Sequence, residues 1–173
     1  MSAGYVTFAA LYVAGVLIRD AYEVLKLRDR IDTRDVRIFA FVFASMCVMW
    51  VSWFVMGALA PTRAAIADAV RWVGLAAVGA GTVLAVGGMV QLRGVENIDH
   101  LETTGIFAVT RHPMYTGFAL WIVGWGVFEA SLPNLAIGLL GLVSVLWWRQ
   151  LEEADMESQY GQDYVAYRAR TRF

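Results

Sequence analysis

Residues 2–18, 38–60 and 72–92 contain no charged side chain. A helix needs about 20 apolar residues, range about 17–25, to cross a bilayer. In hydrocarbon every backbone N–H and C=O must find a partner within the protein, which leaves helices or a closed barrel. Three uninterrupted apolar stretches of this length therefore predict a helical membrane protein. Composition agrees, with 59% hydrophobic and 17% charged residues against roughly 45–50% and about 25% in soluble domains.

Two shorter apolar segments, residues 114–128 and 132–148, flank the sequence Glu129-Ala-Ser-Leu-Pro-Asn134. Pro133 and Asn134 are turn formers, so the pair reads as an antiparallel helical hairpin. At about 1.5 Å per residue the fourth segment is about 22–24 Å long, short of a core of roughly 30 Å. It either spans with its polar ends or dips in and returns. Both alternatives put the start of the fourth segment and the end of the fifth on one side. The expected fold is all-α and polytopic, with about five transmembrane helices in one domain over residues 1–173. Residues 1–92 form a three-helix bundle, and residues 93–173 the hairpin with a cytosolic helical tail.

Basic residues are retained in cytoplasmic loops. Six lie between the first two segments (Arg19, Lys26, Arg28, Arg30, Arg34, Arg37), two before the fourth (Arg93, Arg111) and four in the tail (Arg149, Arg168, Arg170, Arg172). The opposite side has Arg63 and Arg71. The N-terminus is expected outside and the tail in the cytosol. The charges from Arg19 to Arg37 are expected to lie on a solvated helical extension at the membrane surface.

Other classes are disfavoured. A net charge of −1 gives no electrostatic footprint for nucleic acid. Cys47 is the sole cysteine, expected to be a packing residue, so no disulfide or thiolate metal site is expected. With His100 and His112 as the only histidines, no His-rich metal centre can be assembled. Residues 1–18 lack a basic leader and a small-residue cleavage site, so the first segment is expected to remain as an anchor. No fixed-period repeat is present.

Two polar clusters stand out in so apolar a chain. In Arg111-His112-Pro113-Met-Tyr115-Thr-Gly117, Pro113 suits the first turn of a helix, and His112 is held off helical geometry by the proline after it. Arg111 then adds positive charge to a helix N-terminus that already carries about half a positive unit, an arrangement suited to an anion. The plainer alternative is an arginine marking the cytosolic interface. In the second cluster, Glu152 and Glu153 follow Arg149 by three and four residues, so helical ion pairs account for them. The alternative is that the acids face Arg111 across the hairpin mouth and hold a ligand with one anionic and one cationic or hydroxylated end. Gly161 is a plausible stop for that helix.

Taken in order, His100-Leu101, Thr103-Thr104-Gly105 with Phe107, Arg111-His112-Pro113 with Tyr115 and Gly117, Glu152-Glu153, and Tyr160-Gly161-Gln-Asp-Tyr164-Val-Ala-Tyr167 resemble the isoprenylcysteine carboxyl methyltransferase family and its phospholipid N-methyltransferase relatives. The resemblance covers roughly the C-terminal half, and implies that the helical tail forms part of the cofactor pocket. It implies an integral membrane methyltransferase using S-adenosylmethionine and releasing S-adenosylhomocysteine, placed as a short bacterial-type member in the inner membrane. It makes His100, Leu101, Gly105, Arg111, His112, Pro113, Tyr115, Glu152 and Glu153 candidate cofactor residues, with Arg111 and Glu153 the candidate catalytic pair. No metal is implied. The implied partner is a lipophilic acceptor, carboxylate, thiol or amine, reached from the membrane lipid. No signature of a prenylated-protein substrate is found in the first two segments.

Gly79-Ala80-Gly81 is similar to a Gly-x-Gly of the phospholipid-methylating branch. A ridge of Ala77, Gly81 and Ala85 explains it better as helix packing. Two rival functions remain at this level: an NADPH-dependent membrane reductase related to the sterol reductases, and a non-catalytic membrane protein with the same fold.

Overall fold

The computed structural model describes residues 2–93 and 100–171. Arg172, counted in the tail's charge, lies outside them. Six α-helices follow in order: α1 (Ala3–Leu27), α2 (Val36–Ala58), α3 (Asp68–Leu92), α4 (Pro113–Phe128), α5 (Leu132–Tyr160) and α6 (Gln162–Arg170). A short 3₁₀ turn, Gly105–Ala108, precedes α4. The chain is an all-α integral membrane protein. Three helices, α2, α3 and α5, are long and apolar enough to cross a bilayer. Their outer faces carry bare aliphatic and aromatic groups such as Phe41, Val51, Val73, Val83 and Val143, the pattern expected where lipid replaces water.

The charged stretch after the first apolar segment is helical, as expected, but not throughout. Helix α1 continues unbroken through it to Leu27, and only residues 28–35 form the connection to α2. Nor is that extension simply solvated, since Tyr22 and Glu23 are buried. Asp20 accepts hydrogen bonds from Trp148 Nε1 at 2.7 Å and Ser144 Oγ at 3.0 Å. These tie the C-terminal end of α1 to α5. The physical reason is that the next helix offers indole and hydroxyl donors at the height where the first charges appear.

The largest helix–helix interface joins α3 to α4. It depends on glycine. A Cβ on Gly117 would lie 2.5 Å from the Gly81 carbonyl oxygen, and one on Gly124 would lie 2.6 Å from that of Gly74. Ala77 and Ala85 meet the same face of α4. The small-residue ridge is therefore a packing surface, as close backbone approach between membrane helices requires. Gly79 faces open space. Neither glycine of the Gly-x-Gly lines the polar pocket described below.

The hairpin forms where expected, with a shorter turn. Ser131 caps α5 by accepting from Asn134 N at 3.3 Å, so Pro133 and Asn134 lie in the first helical turn. Proline is tolerated there because the first-turn N–H groups have no helical partner. At its far end α5 stops at Gly161, whose φ is +54°. The core between α1, α2, α4 and α5 is aromatic, built on Tyr5, Tyr12, Trp53, Ile122 and Trp148.

Candidate functional site

Two cavities meet at the first turn of α4. Their shape starts with the loop leading into it. Gln91 near the end of α3 clamps that loop, donating through Nε2 to Thr104 O at 2.8 Å and accepting from Ile106 N at 3.0 Å. Gly105 sits against this amide with φ +52°, and a Cβ there would lie 2.5 Å from Gln91 Oε1. Glu102 accepts from both the amide and the hydroxyl of Thr104, which hold its carboxyl below the usual range. Helix α4 then begins at Pro113, with His112 off helical geometry at φ −126° and ψ 61°.

Glu153 on α5 is the hub of the site. Its Oε1 accepts from Arg111 Nη2 at 3.0 Å, His112 Nε2 at 3.0 Å and Arg149 Nη2 at 3.3 Å. The helical pair with Arg149 and the cross-hairpin pair with Arg111 thus both form, on a single oxygen. Burial pushes the His112 pKa down to about 4; the Glu153 carboxylate works against this, and the Arg149 and Arg111 guanidiniums add to it. The imidazole is neutral near pH 7. A neutral ring facing a carboxylate donates to it, which assigns the proton to Nε2. Nδ1 is then a lone pair, buried without a hydrogen-bond partner and 3.9 Å from Glu152 Oε1.

Arg111 is more internal than an anion site at a helix N-terminus would have it. Besides Glu153, its Nη1 donates to Thr171 O at 2.6 Å and Arg168 O at 3.3 Å. The guanidinium therefore fastens α6 over the hairpin mouth. Tyr167 adds a second fastening, its hydroxyl donating to Phe107 O at 2.6 Å, and burial pushes its pKa up to about 12.

Under this strap lies a polar cavity of about 60 Å³. His100, Leu101, Arg111, His112 and Glu152 line it, as do Glu102, Phe107, Met156, Tyr164 and Tyr167. Of the remaining candidates, Glu153 stands behind it and Gly105 supports the loop. Pro113 packs on Gly88, 3.0 Å from where a Cβ there would lie. Tyr115 faces the other cavity. Reasoning from sequence did not assign Glu102, Met156, Tyr164 or Tyr167 to the pocket. The two tyrosines were signalled by the Tyr-Gly-x-x-Tyr-x-x-Tyr tail, but the strap that brings them to the loop is tertiary.

The second cavity is larger, about 360 Å³, and apolar. It lies among α1, α2, α3 and the start of α4, walled by Phe39, Met46, Trp50, Tyr115, Phe118 and Trp121, with Arg19 the single charged residue in its lining. Tyr115 and His112 stand between the two spaces, their ring centroids 5.9 Å apart. The Tyr115 hydroxyl and the Glu152 carboxylate are electrostatic neighbours. A pocket rich in ionisable residues and an apolar one are therefore separated by the neighbouring rings of His112 and Tyr115.

Comparison with known proteins gives a consistent picture. The family model described as phospholipid methyltransferase matches residues 69–163. Over 79 residues the chain is 38% identical to the protein-S-isoprenylcysteine O-methyltransferase of Schizosaccharomyces pombe, covering 42% of this chain and 31% of that one. It is 31% identical over 77 residues to the methanethiol S-methyltransferase of Pseudomonas deceptionensis, covering 44% and 29%. With the protein-S-isoprenylcysteine O-methyltransferase B of Arabidopsis thaliana it shares 34% over 76 residues, covering 40% and 36%. The matched stretch spans about a third of the length of these relatives. No solved structure matches the chain.

Proposed function

Since the chain belongs to the phospholipid methyltransferase family, we propose that it is a membrane methyltransferase that passes a methyl group from S-adenosylmethionine to a lipophilic acceptor. The observation that carries this reading is the shared wall, with His112 lining the polar pocket and Tyr115 the apolar cavity. A water-soluble methyl donor and a lipid-soluble acceptor need such a pair of adjoining spaces.

The residues present suit the donor. Glu152, about one third exposed, offers a carboxylate to ribose hydroxyls or an ammonium, and His112 Nδ1 is a buried acceptor still lacking a hydrogen bond. Tyr164, Tyr167, Phe107 and Met156 supply apolar and aromatic surface for a flat base. At about 60 Å³ the pocket is far below the roughly 300 Å³ at which small-molecule sites begin, so α6 has to swing outward for the ligand to enter.

When bound, the cofactor supplies an electrophilic methyl on a sulfonium. The protein's part is alignment and exclusion of water, which at best contributes about 7–11 kcal/mol. Arg111 and Glu153 line no part of the apolar cavity; they hold His112 and the tail strap, and so position the pocket. Tyr115 presents its ring to the acceptor side. In this reading α1 and α4 are also embedded, giving five membrane helices in a single domain. The N-terminus lies outside and the site opens to the cytosol across the cytoplasmic membrane, as the twelve-to-two distribution of basic residues favours.

Calorimetry on the detergent-solubilised protein tests the reading. S-adenosylhomocysteine should bind with measurable heat, and Glu152→Gln should weaken it. Binding of NADPH alone would favour the reductase, and absence of binding by either would favour a non-catalytic protein. Labelled S-adenosylmethionine with a membrane lipid extract then identifies the acceptor by the product that carries the label.

A further inference from the structure

A residue outside both polar clusters ties the loop over the polar pocket to a membrane helix. We propose that Gln91 is a positioning residue for cofactor binding: its side-chain amide fixes the loop of residues 101–107 so that the pocket can close, and through Phe107 it sets where α6 lands. The inference rests on the methyltransferase reading and adds to it a residue that does not line the pocket.

The contact is made at two points. Thr104 O and Ile106 N flank Gly105, and Gln91 meets both, donating to the first at 2.8 Å and accepting from the second at 3.0 Å. A primary amide offers a donor and an acceptor side by side, and these two partners assign which end is which. Nε2 also lies 3.4 Å from Thr104 Oγ1, whose hydroxyl in turn donates to Glu102. Gly105, at φ +52°, leaves the amide the room that a Cβ would take. One turn earlier on α3, Ile106 fills the space above Gly87. The loop is thus pinned along a single turn of α3, by packing at Gly87 and by hydrogen bonds at Gln91.

What this clamp holds is one wall of the pocket and the landing point of its strap. Leu101, Glu102 and Phe107 line the polar pocket, and Phe107 O accepts the Tyr167 hydroxyl that ties down α6. The last turn of α3 also puts Met89 on the apolar cavity and Leu92 on the polar one. A loop registered on that turn keeps a fixed height relative to both spaces, as alignment of two reactants requires. Without the clamp the Thr104 carbonyl and the Ile106 amide lose their partners. Ordering the loop then falls to the ligand, which lowers its affinity.

Gln91→Leu and Gln91→Glu are compared with the unaltered full chain in detergent, by calorimetry with S-adenosylhomocysteine and by amide exchange without ligand. Gln91→Leu loses both hydrogen bonds. Its binding should weaken about tenfold, and exchange should quicken in residues 162–170 as well as in the loop. At pH 8 the carboxylate of Gln91→Glu has no proton to donate to Thr104 O, so this variant should bind as weakly. Once protonated, the introduced carboxyl has one donor and one acceptor and restores the pairing, so its deficit should narrow as the pH falls to 5. The charged and titratable neighbours are Arg93 on α3 and, on the loop, Glu102 with His100 at 4.0 Å. They are common to variant and unaltered protein, and the ratio of affinities at each pH removes their own titration. Should Gln91→Leu fail to fold, the pH profile of Gln91→Glu decides. Unchanged binding in Gln91→Leu, a Gln91→Glu deficit that does not vary with pH, or exchange that quickens in the loop but not in α6 overturns the role of Gln91. Absence of S-adenosylhomocysteine binding by the unaltered protein overturns the methyltransferase reading instead, and quicker exchange of α6 in Gln91→Leu then still supports the clamp.

Discussion

His112 is predicted to stay neutral well into the acid range, and this can be measured directly. The ordinary imidazole pKa near 6.5 is pushed down to about 4 in the folded chain. Two effects compete. Glu153 at 3.0 Å favours the imidazolium, but the ring is 4% exposed and two guanidiniums share the same carboxylate, so loss of hydration prevails. Above pH 6.5 the ring is neutral in folded and unfolded chains, and its contribution to stability is complete. As the pH falls below 6.5 the unfolded chain takes up a proton that the folded chain refuses, so stability declines until about pH 4, where the folded chain protonates as well. That gap, at about 1.4 kcal/mol for each pH unit, amounts to about 3 kcal/mol, of which about 2 kcal/mol is lost by pH 5. The assay is ¹⁵N-histidine NMR in detergent, with the two histidines assigned through His100→Gln. Thermal unfolding at pH 7.5 and 5 is compared with His112→Gln, which should flatten the pH dependence. A ring that titrates near 6.5 or above, or a variant with undiminished pH dependence, refutes the argument that burial outweighs the carboxylate.

Other perturbations follow from single contacts. Gly117→Ala should destabilise the bundle by about 1–3 kcal/mol, since the new methyl meets the Gly81 carbonyl at 2.5 Å and backbone cannot yield; Gly79→Ala, into open space, should be neutral in the same thermal melt. Tyr167→Phe removes the hydroxyl that ties α6 to Phe107 O and should cost about 1 kcal/mol of tail anchoring, read as faster amide exchange in residues 162–170. Asp20→Ala strands the Trp148 indole and Ser144 hydroxyl and should loosen α1 from α5, read as a lowered melting temperature of at least several degrees. Glu153→Gln should weaken S-adenosylhomocysteine binding through His112 and the strap rather than by a lost direct contact, so its effect should shrink in a background already carrying Tyr167→Phe.

The sequence by itself determined the membrane class, the hairpin and the meeting of its two polar clusters. Each of these rests on something local: apolar length, Pro113 at a helix start, Gly161 at a helix end. Why Arg111 meets Glu153 was also accessible, because an antiparallel hairpin must bring its two ends together. Tertiary structure alone decided what those charges do. Sequence leaves Arg111 between an anion receptor and an arginine marking the interface; the folded tail, returning over the hairpin, takes its donors for Thr171 and Arg168 and turns it into a fastening. Likewise Arg19 and Glu23 read as charges on a solvated helical extension until α1 is seen to pack beside α5, and Tyr115 reads as a cofactor residue until α4 turns it toward the apolar cavity. Helices form from neighbouring residues and so leave their pattern in the chain. A cavity wall is assembled from residues far apart in sequence, here Arg19, Cys47, Met89 and Tyr115, and no local pattern records which way each will face.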